Sequence, residues 1–406
     1  MAVNLSPPVG LLPVGGVLLG SAAAGLRDGG GRGKKRDDLT VITFPPDAAV
    51  AGVFTKNRFP APPVALCRSR LRANIRPRAF AVNASIANAG TLGAGLTDAR
   101  QCCTLLAKML DIRAVEVLPF STGVIMERLP MQKYAEGLHK CVSCLQPNGW
   151  LRAAKAMMTT DTVAKAVSRR ITDGKRDYSI TGIAKGAGMI HPQMATMLAF
   201  VATDAAINLP TLRAWQREIS ADTFNAVSVD GDTSTNDSFM LVATGAAGKP
   251  SKSALGKLRA AINEVCAHLA FAIVRDGEGA GRIMTVRVSG GKSFAVCRRV
   301  ADAVCRSPLV KTALAAADAN VGRLLMAIGN AGGGFAANKV MVSIGKMPVI
   351  RNGGMDTRYD EKAVANIMRQ KEIAVDITIN GGSASATLTT CDLTEDYIKI
   401  NASYRS

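Results

Sequence analysis

The chain has 406 residues, 48% of them hydrophobic and 20% charged, which excludes a disordered polypeptide and is long enough for two domains around large cores. Its 50 basic residues against 31 acidic ones give a net charge of +19, an attraction for anionic surfaces in general that says nothing about fold. Aromatic residues are only 4%, so the core must rest on Ala, Val, Leu, Ile and Met.

In chain order, Val9 to Leu26 is apolar and contains Ser21-Ala22-Ala23-Ala24, which looks like a signal-peptide cleavage site. No basic run precedes it, and Pro13, Gly15 and Gly16 interrupt it; no apolar stretch is long enough to cross a bilayer as a helix. The segment reads as a strand pair, and the chain as cytoplasmic, neither secreted nor membrane-bound. Gly29 to Arg36 is a loop, Leu39 to Phe44 a strand, Ala49 to Asn57 a buried strand, and Pro60 to Pro63 a turn or polyproline link. Basic residues crowd at Arg68, Arg70, Arg72, Arg76 and Arg78, and again at Lys34-Lys35-Arg36. Single-strand binding wants aromatic platforms between such residues, and only Phe80 is near, so a solvated basic face is expected and no nucleic-acid partner.

Ala79 to Val82 is a strand, and Asn83 to Gly95 a loop of small residues. Thr97 is placed to cap a helix through Leu110, and Val115 to Phe120 is a short strand ending in the turn Ser121-Thr122-Gly123. Nine cysteines form no regular framework: Cys141-Val142-Ser143-Cys144 has His139 beside it but no second pair to close a metal site, so reduced thiols and no metal are expected. Leu255, Leu258, Ile262, Val265, Leu269 and Ile273 recur at helical spacing and predict a helix over 253–274. Ile283 to Val288 is a strand, and Ile373 to Ile379 with Ser383 to Leu388 alternate around Asn380-Gly381-Gly382 as a hairpin. A domain boundary is expected near 285 to 295, where Ser289-Gly290-Gly291 interrupts the pattern.

The stretch with the most chemistry lies mid-chain, from Lys185-Gly186-Ala187-Gly188-Met189-Ile190-His191-Pro192-Gln193-Met194-Ala195-Thr196 into the apolar run Met197-Leu198-Ala199-Phe200. The small residue before Thr196 leaves the Ala195 carbonyl open to its hydroxyl. An N-to-O acyl shift there, followed by hydrolysis, would free an N-terminal threonine whose own α-amine lies within reach of its hydroxyl, although taken alone the stretch reads more readily as a loop entering a buried strand.

This stretch, with Thr203-Asp204-Ala205 after it, resembles the self-cleavage motif of the ornithine acetyltransferase (glutamate N-acetyltransferase) family. Further blocks agree in order: 51–55, 121–125, Met158-Thr159-Thr160-Asp161-Thr162, Phe224-Asn225 with 228–238, Asp276-Gly277-Glu278-Gly279, 307–313, and Cys391-Asp392-Leu393-Thr394 running to Asn401-Ala402-Ser403-Tyr404-Arg405-Ser406. The resemblance implies an α/β (α+β) fold. Its architecture is the layered α/β sandwich of the self-cleaving aminopeptidase/ornithine acetyltransferase type, with a smaller C-terminal α/β domain. Residues 1–285 would then be the main catalytic domain, cut between Ala195 and Thr196, and 286–406 the smaller domain whose tail returns to the site.

The resemblance also implies acetyl transfer from N²-acetylornithine to L-glutamate, in arginine biosynthesis, by a ping-pong route through acetyl-Thr196. Thr196 is the implied nucleophile, with Thr122 and Gly123 as the oxyanion hole; Thr159, Lys185, Thr196, Glu278, Asn401 and Ser406 bind substrate. No resident cofactor is implied, acetyl-CoA stays open as a second donor, and the α and β chains would assemble as α2β2. A hydrolase or aminopeptidase of the related self-cleaving class is the alternative.

Several other features have plainer readings. Asp230 to Asp237 lacks the glycine and the twelfth-position carboxylate of a calcium loop, with Thr235 and Leu241 at those places, and reads as a polar loop near the site. The glycine clusters at 186–188, 277–281 and 332–334 have neither phosphate-loop nor dinucleotide spacing. His191 is a lesser candidate for the base. The chain departs from the family pattern in three places. Ala84-Ser85-Ile86-Ala87-Asn88-Ala89 stands for the usual Ser-Gly-Asn-Ala-Asn-Ala, Gln193 for asparagine, and Val321 for tryptophan.

Overall fold

A computed structural model describes residues 2–26, 36–191 and 197–403. Ala195, Thr196 and Ser406, with Gln193 and nearly all of the expected loop at Gly29–Arg36, lie outside the described residues.

Strand patterning determines the first part of the chain. Phe80 and Val82 join one core while Ala79 and Ala81 join another; Leu198, Phe200 and Ala202 likewise oppose Ala199 and Val201. Strands apolar on both faces must be covered on both. Two sheets therefore stack, with a helical layer outside each. The four-stranded sheet runs in the order Leu18–Ala22, Leu39–Thr43, Ala79–Asn83, Val117–Ser121. The five-stranded sheet runs Ala49–Phe54, Ser238–Gly248, Leu198–Ala205, Arg176–Lys185, Lys165–Asp173.

The scarce aromatics concentrate between the sheets, where the ring centroids of Phe44 and Phe80 are 4.9 Å apart and those of Phe120 and Phe200 5.1 Å. Helices Leu92–Leu110 and Met131–Ser143 cover the first sheet with Cys102, Leu106, Leu138 and Cys141. Helices Leu209–Asp222 and Lys252–Arg275 cover the second with Leu212, Ile219, Leu258, Ile262, Val265 and Leu269. Each such leucine, isoleucine or valine taken out of water contributes about 1.5–3 kcal/mol. The result is the expected layered α/β sandwich.

The C-terminal part builds a separate core, from Met284 to Leu388, around a seven-stranded sheet. Its order is Gly354–Met355, Met347–Arg351, Met341–Ile344, Glu372–Thr378, Ile283–Gly291, Ala384–Cys391, Val227–Ser228. Val321, in place of the family's tryptophan, is buried in this core. Helix Glu395–Ser403 then returns to the sandwich, where Thr394 Oγ1 donates to Gly279 O at 2.7 Å.

Several expectations need correction. The two alternating runs at 373–388 are strands but not a hairpin. Ile283–Gly291 lies between them, parallel to Glu372–Thr378 and antiparallel to Ala384–Cys391. Alternation identifies strands and not their neighbours, and the glycine-rich turn instead crosses the end of the middle strand, where Ile379 N donates to Ser289 O at 3.0 Å. Ser289 to Gly291 are the last residues of that strand, with a bulge between Ser289 and Gly291, so the pattern runs three residues further than Val288. Residues 9–26 yield one strand, Leu18–Ala22, because Gly15 and Gly16 turn the chain before it, closed by Val17 N on Val14 O at 3.0 Å. The prolines at 62 and 63 open helix Pro62–Arg72 rather than a polyproline link, since the first helical positions need no N–H donor. Thr97 is not a cap: the helix already starts at Leu92, and the Thr97 hydroxyl bonds back to Gly93 O at 3.2 Å.

Candidate active site

Thr122, Gly123, Thr159, Lys185, Glu278 and Asn401 come from five separate stretches of chain and line one cavity of about 390 Å³. Thr122 and Gly123 follow the strand Val117–Ser121, Thr159 follows helix Trp150–Met157, and Lys185 ends the strand Arg176–Lys185. Glu278 lies just past helix Lys252–Arg275, and Asn401 on helix Glu395–Ser403. Thr196, Ala195 and Ser406 lie outside the described residues.

The turn at Gly123 is set by sterics. Its φ is +127°, and a Cβ there would fall 2.0 Å from the Ser85 carbonyl carbon, so no other residue fits. Thr122 N donates to Asn83 O at 3.0 Å and Val124 N to Ser85 O at 2.8 Å, whereas the Gly123 N–H has no partner among the described residues. Lys185 Nζ lies 3.2 Å from Thr122 Oγ1. An ammonium only donates, so the threonine oxygen accepts and its own hydroxyl proton is free to point elsewhere. Two donors, one backbone and one side chain, are thus left over at adjacent residues.

Lys185 is buried, which lowers its pKa, and the Asp161 carboxylate partly restores it. Asp161 ties three parts of the wall together. It accepts from Lys165 Nζ at 2.7 Å, Gly186 N at 2.7 Å and Thr159 N at 3.0 Å. Burial opposes its ionisation, but Lys165 and Lys185 outweigh that and hold the carboxyl well below the usual range. Lys165 also donates to Asp276 Oδ2 at 2.6 Å, and Asp276 in turn accepts from Thr162 N at 2.9 Å. Sequence reasoning gave these three residues no role. Asp161 and Asp276 sit within matched blocks and Lys165 lies four residues beyond Asp161, but nothing local marks them as buried.

Opposite this network, Glu278 Oε2 accepts from Asn401 Nδ2 at 2.8 Å. Gly188 makes room for that carboxylate, since a Cβ at 188 would come within 2.5 Å of Oε2. The polar loop at 230–237 holds the chain on both sides of the expected cut. Asp230 accepts from Met189 N at 2.6 Å and Ile190 N at 3.0 Å, and burial lifts its pKa to about 6. Asp237 accepts from Met197 N at 3.1 Å; burial raises its pKa well above the carboxylate range, and its Oδ2 makes no hydrogen bond among the described residues. Asn236 Nδ2 braces the turn at Thr122 and Gly123 through Ser121 O at 2.9 Å and Ala87 O at 2.7 Å.

Ser85 occupies the family's glycine position in the altered 84–89 loop with φ +82°, a strained conformation directly behind Gly123. His191 is not part of the cavity wall: its Nδ1 lies 3.7 Å from Asp302 Oδ1 on helix Phe294–Arg306. Cys141 and Cys144 bond carbonyl oxygens, Leu39 O at 3.3 Å and Ser21 O at 3.4 Å, and no group of three or more His, Cys, Asp or Glu among the described residues is placed to hold a metal ion. No helix among the described residues is long and apolar enough to cross a membrane.

The sequence model of the ArgJ family matches residues 19–406. Among solved structures, the arginine biosynthesis bifunctional protein argJ from Bacillus halodurans is 33% identical, over 50% of this chain and 98% of its own, with a TM-score of 0.48. Ornithine acetyltransferase from Mycobacterium tuberculosis, complexed with ornithine, is 32% identical over 46% of this chain and 94% of its own, with a TM-score of 0.38. An L-aminopeptidase D-Ala-esterase/amidase from Ochrobactrum anthropi is 12% identical over 67% of this chain and 89% of its own, with a TM-score of 0.39. With a family match over nearly its whole length, the chain belongs to the ArgJ family, enzymes of arginine biosynthesis of the ornithine acetyltransferase type.

Proposed function

We propose that the protein cleaves itself between Ala195 and Thr196 and then transfers acetyl groups from N²-acetylornithine to glutamate through an ester on Thr196. The observation that carries this reading is the pair of uncommitted donors, the Gly123 N–H and the Thr122 hydroxyl, beside a buried cation and a carboxylate in one cavity. Acyl transfer concentrates negative charge on one oxygen, and donors fixed in advance stabilise it without reorganisation.

In the first half-reaction Thr196 Oγ attacks the acetyl carbonyl while its own α-amine, with an unperturbed pKa near 8, accepts the hydroxyl proton. The amine returns that proton to ornithine as the C–N bond breaks. Glutamate's amine then attacks the ester, and Thr196 regains its proton. Lys185 and Thr159 suit a substrate carboxylate, and Glu278 with Asn401 an ammonium. None of these steps requires a cofactor or metal. Acetyl-CoA enters the same scheme as a second donor, the compartment proposed is the cytoplasm, and the assembly is α2β2 from chains 1–195 and 196–406.

The test is N²-acetylornithine carrying a labelled acetyl group, given with and without glutamate. Labelled N-acetylglutamate is expected. Labelled acetate formed at the same rate with or without glutamate would instead favour a hydrolase of the related aminopeptidase class.

A further inference from the structure

The basic run noted in the sequence is divided by the fold. Arg70 turns inward, with its guanidinium 3.0 Å from Cys103 Sγ. Arg68 and Arg72, one turn apart on helix Pro62–Arg72, instead line a second cleft of about 460 Å³. Its opposite wall is helix Leu209–Asp222, which presents Arg213 and Arg217 at the same spacing, and Lys56 adds a fifth cation. The strand between them, Ala49–Phe54, is the edge of the five-stranded sheet.

Among the described residues no carboxylate lines this cleft and none of the five cations is in an ion pair. Elsewhere the chain does pair its arginines, as in Arg128 with Asp98, Arg152 with Asp37 and Arg259 with Glu218. Backbone carbonyls fix two of the five in place: Arg68 donates to Thr55 O, and Arg213 to Leu71 O at 3.3 Å. Beneath them Gln216 is buried and donates to Ala51 O at 3.1 Å and Phe239 O at 2.7 Å, locking helix to strand. Like charges one turn apart repel, and burial with Arg72 alongside lowers the pKa of Arg68. Two such pairs lining one cleft, with no counter-charge among the described residues, are a preformed receptor for an anion.

We propose that this cleft binds a small polyanion carrying at least two phosphate groups. The guanidinium fork matches phosphate oxygens bidentately, and one arginine pair on each wall calls for at least two anionic groups. Single-stranded nucleic acid is disfavoured because the one aromatic ring among the described lining residues, Phe54, is already covered by Arg68 at 6.0 Å from its centroid. The site is independent of the acetyl-transfer reading, since none of these residues lines the reaction cavity.

Isothermal titration of the full protein with inorganic pyrophosphate at low salt tests this. One site per chain is expected, weakening steeply with added salt. Arg72→Ala/Arg217→Ala removes two cations with no other hydrogen bond among the described residues and should weaken binding at least about tenfold. The charge-matched control Arg100→Ala/Lys108→Ala, on exposed positions of another helix, should bind like wild type. Absence of binding at millimolar pyrophosphate, or equal weakening in both double variants, overturns the proposal. So does an oligonucleotide that displaces pyrophosphate and binds more tightly the longer it is.

Discussion

Replacing Thr122 by valine isolates one of the two proposed oxyanion donors. The position is 4% exposed and valine keeps the branched outline while replacing the hydroxyl by a methyl group, so the change centres on that one polar group. With Lys185 Nζ 3.2 Å from Oγ1, that hydroxyl is already oriented, and its removal takes away one of two donors at once. A loss of about 10²–10³ in kcat is expected, or about 2.7–4 kcal/mol of transition-state stabilisation. Lys185 also loses an acceptor in a buried setting, so the fold should weaken by about 1–3 kcal/mol. Thr122→Ser restores the donor and should return the rate to within a few-fold of wild type. Initial rates of N-acetylglutamate formation, on protein whose cleavage state is checked by mass, give the comparison; where the valine variant fails to cleave, the cleavage rate is the readout. A valine variant within about threefold of wild type in both steps refutes the assignment of Thr122 as a donor.

Ser85→Gly should stabilise the protein by about 1 kcal/mol, because a serine at φ +82° is strained and glycine is not; an unchanged or lower denaturation midpoint would count against it. Lys165→Met leaves Asp161 and Asp276 buried without their shared cation and should destabilise by about 3–5 kcal/mol, measured by urea unfolding. Asp230 has its pKa raised from 3.8 to about 6, so the folded state holds this proton more tightly than the unfolded chain does. Its stabilising contribution is therefore full below about pH 4 and lost as pH rises through about 6, a swing of about 3 kcal/mol. Asp230→Asn should lack that swing, so parallel stability curves for the two proteins between pH 4 and 7 would contradict the assignment.

What the sequence reveals and what it hides divide along physical lines. The helix Lys252–Arg275 was legible because Leu258, Ile262, Val265 and Leu269 mark one face at a spacing only a helix produces. The strands Glu372–Thr378 and Ala384–Cys391 were legible as strands, but their separation by Ile283–Gly291 depends on a pairing over more than eighty residues that alternation does not encode. Helix Pro62–Arg72 was hidden because adjacent prolines mark both a helix start and an extended link. The six described residues expected at the site were recognised from matching blocks, and periodicity played no part. Asp161, Lys165 and Asp276 escaped notice because a charged residue looks the same in sequence whether solvated or enclosed; only the fold puts all three out of water. The same holds for the arginine run, where Arg70 turns inward and its neighbours do not.

The most direct test is the mass of the purified polypeptide under denaturing conditions, beside that of Thr196→Ala. Two chains, 1–195 and 196–406, are expected from the wild type, and one uncut, inactive chain from the variant. A wild-type protein that stays whole and still moves acetyl groups to glutamate would contradict a self-generated N-terminal threonine as the catalyst.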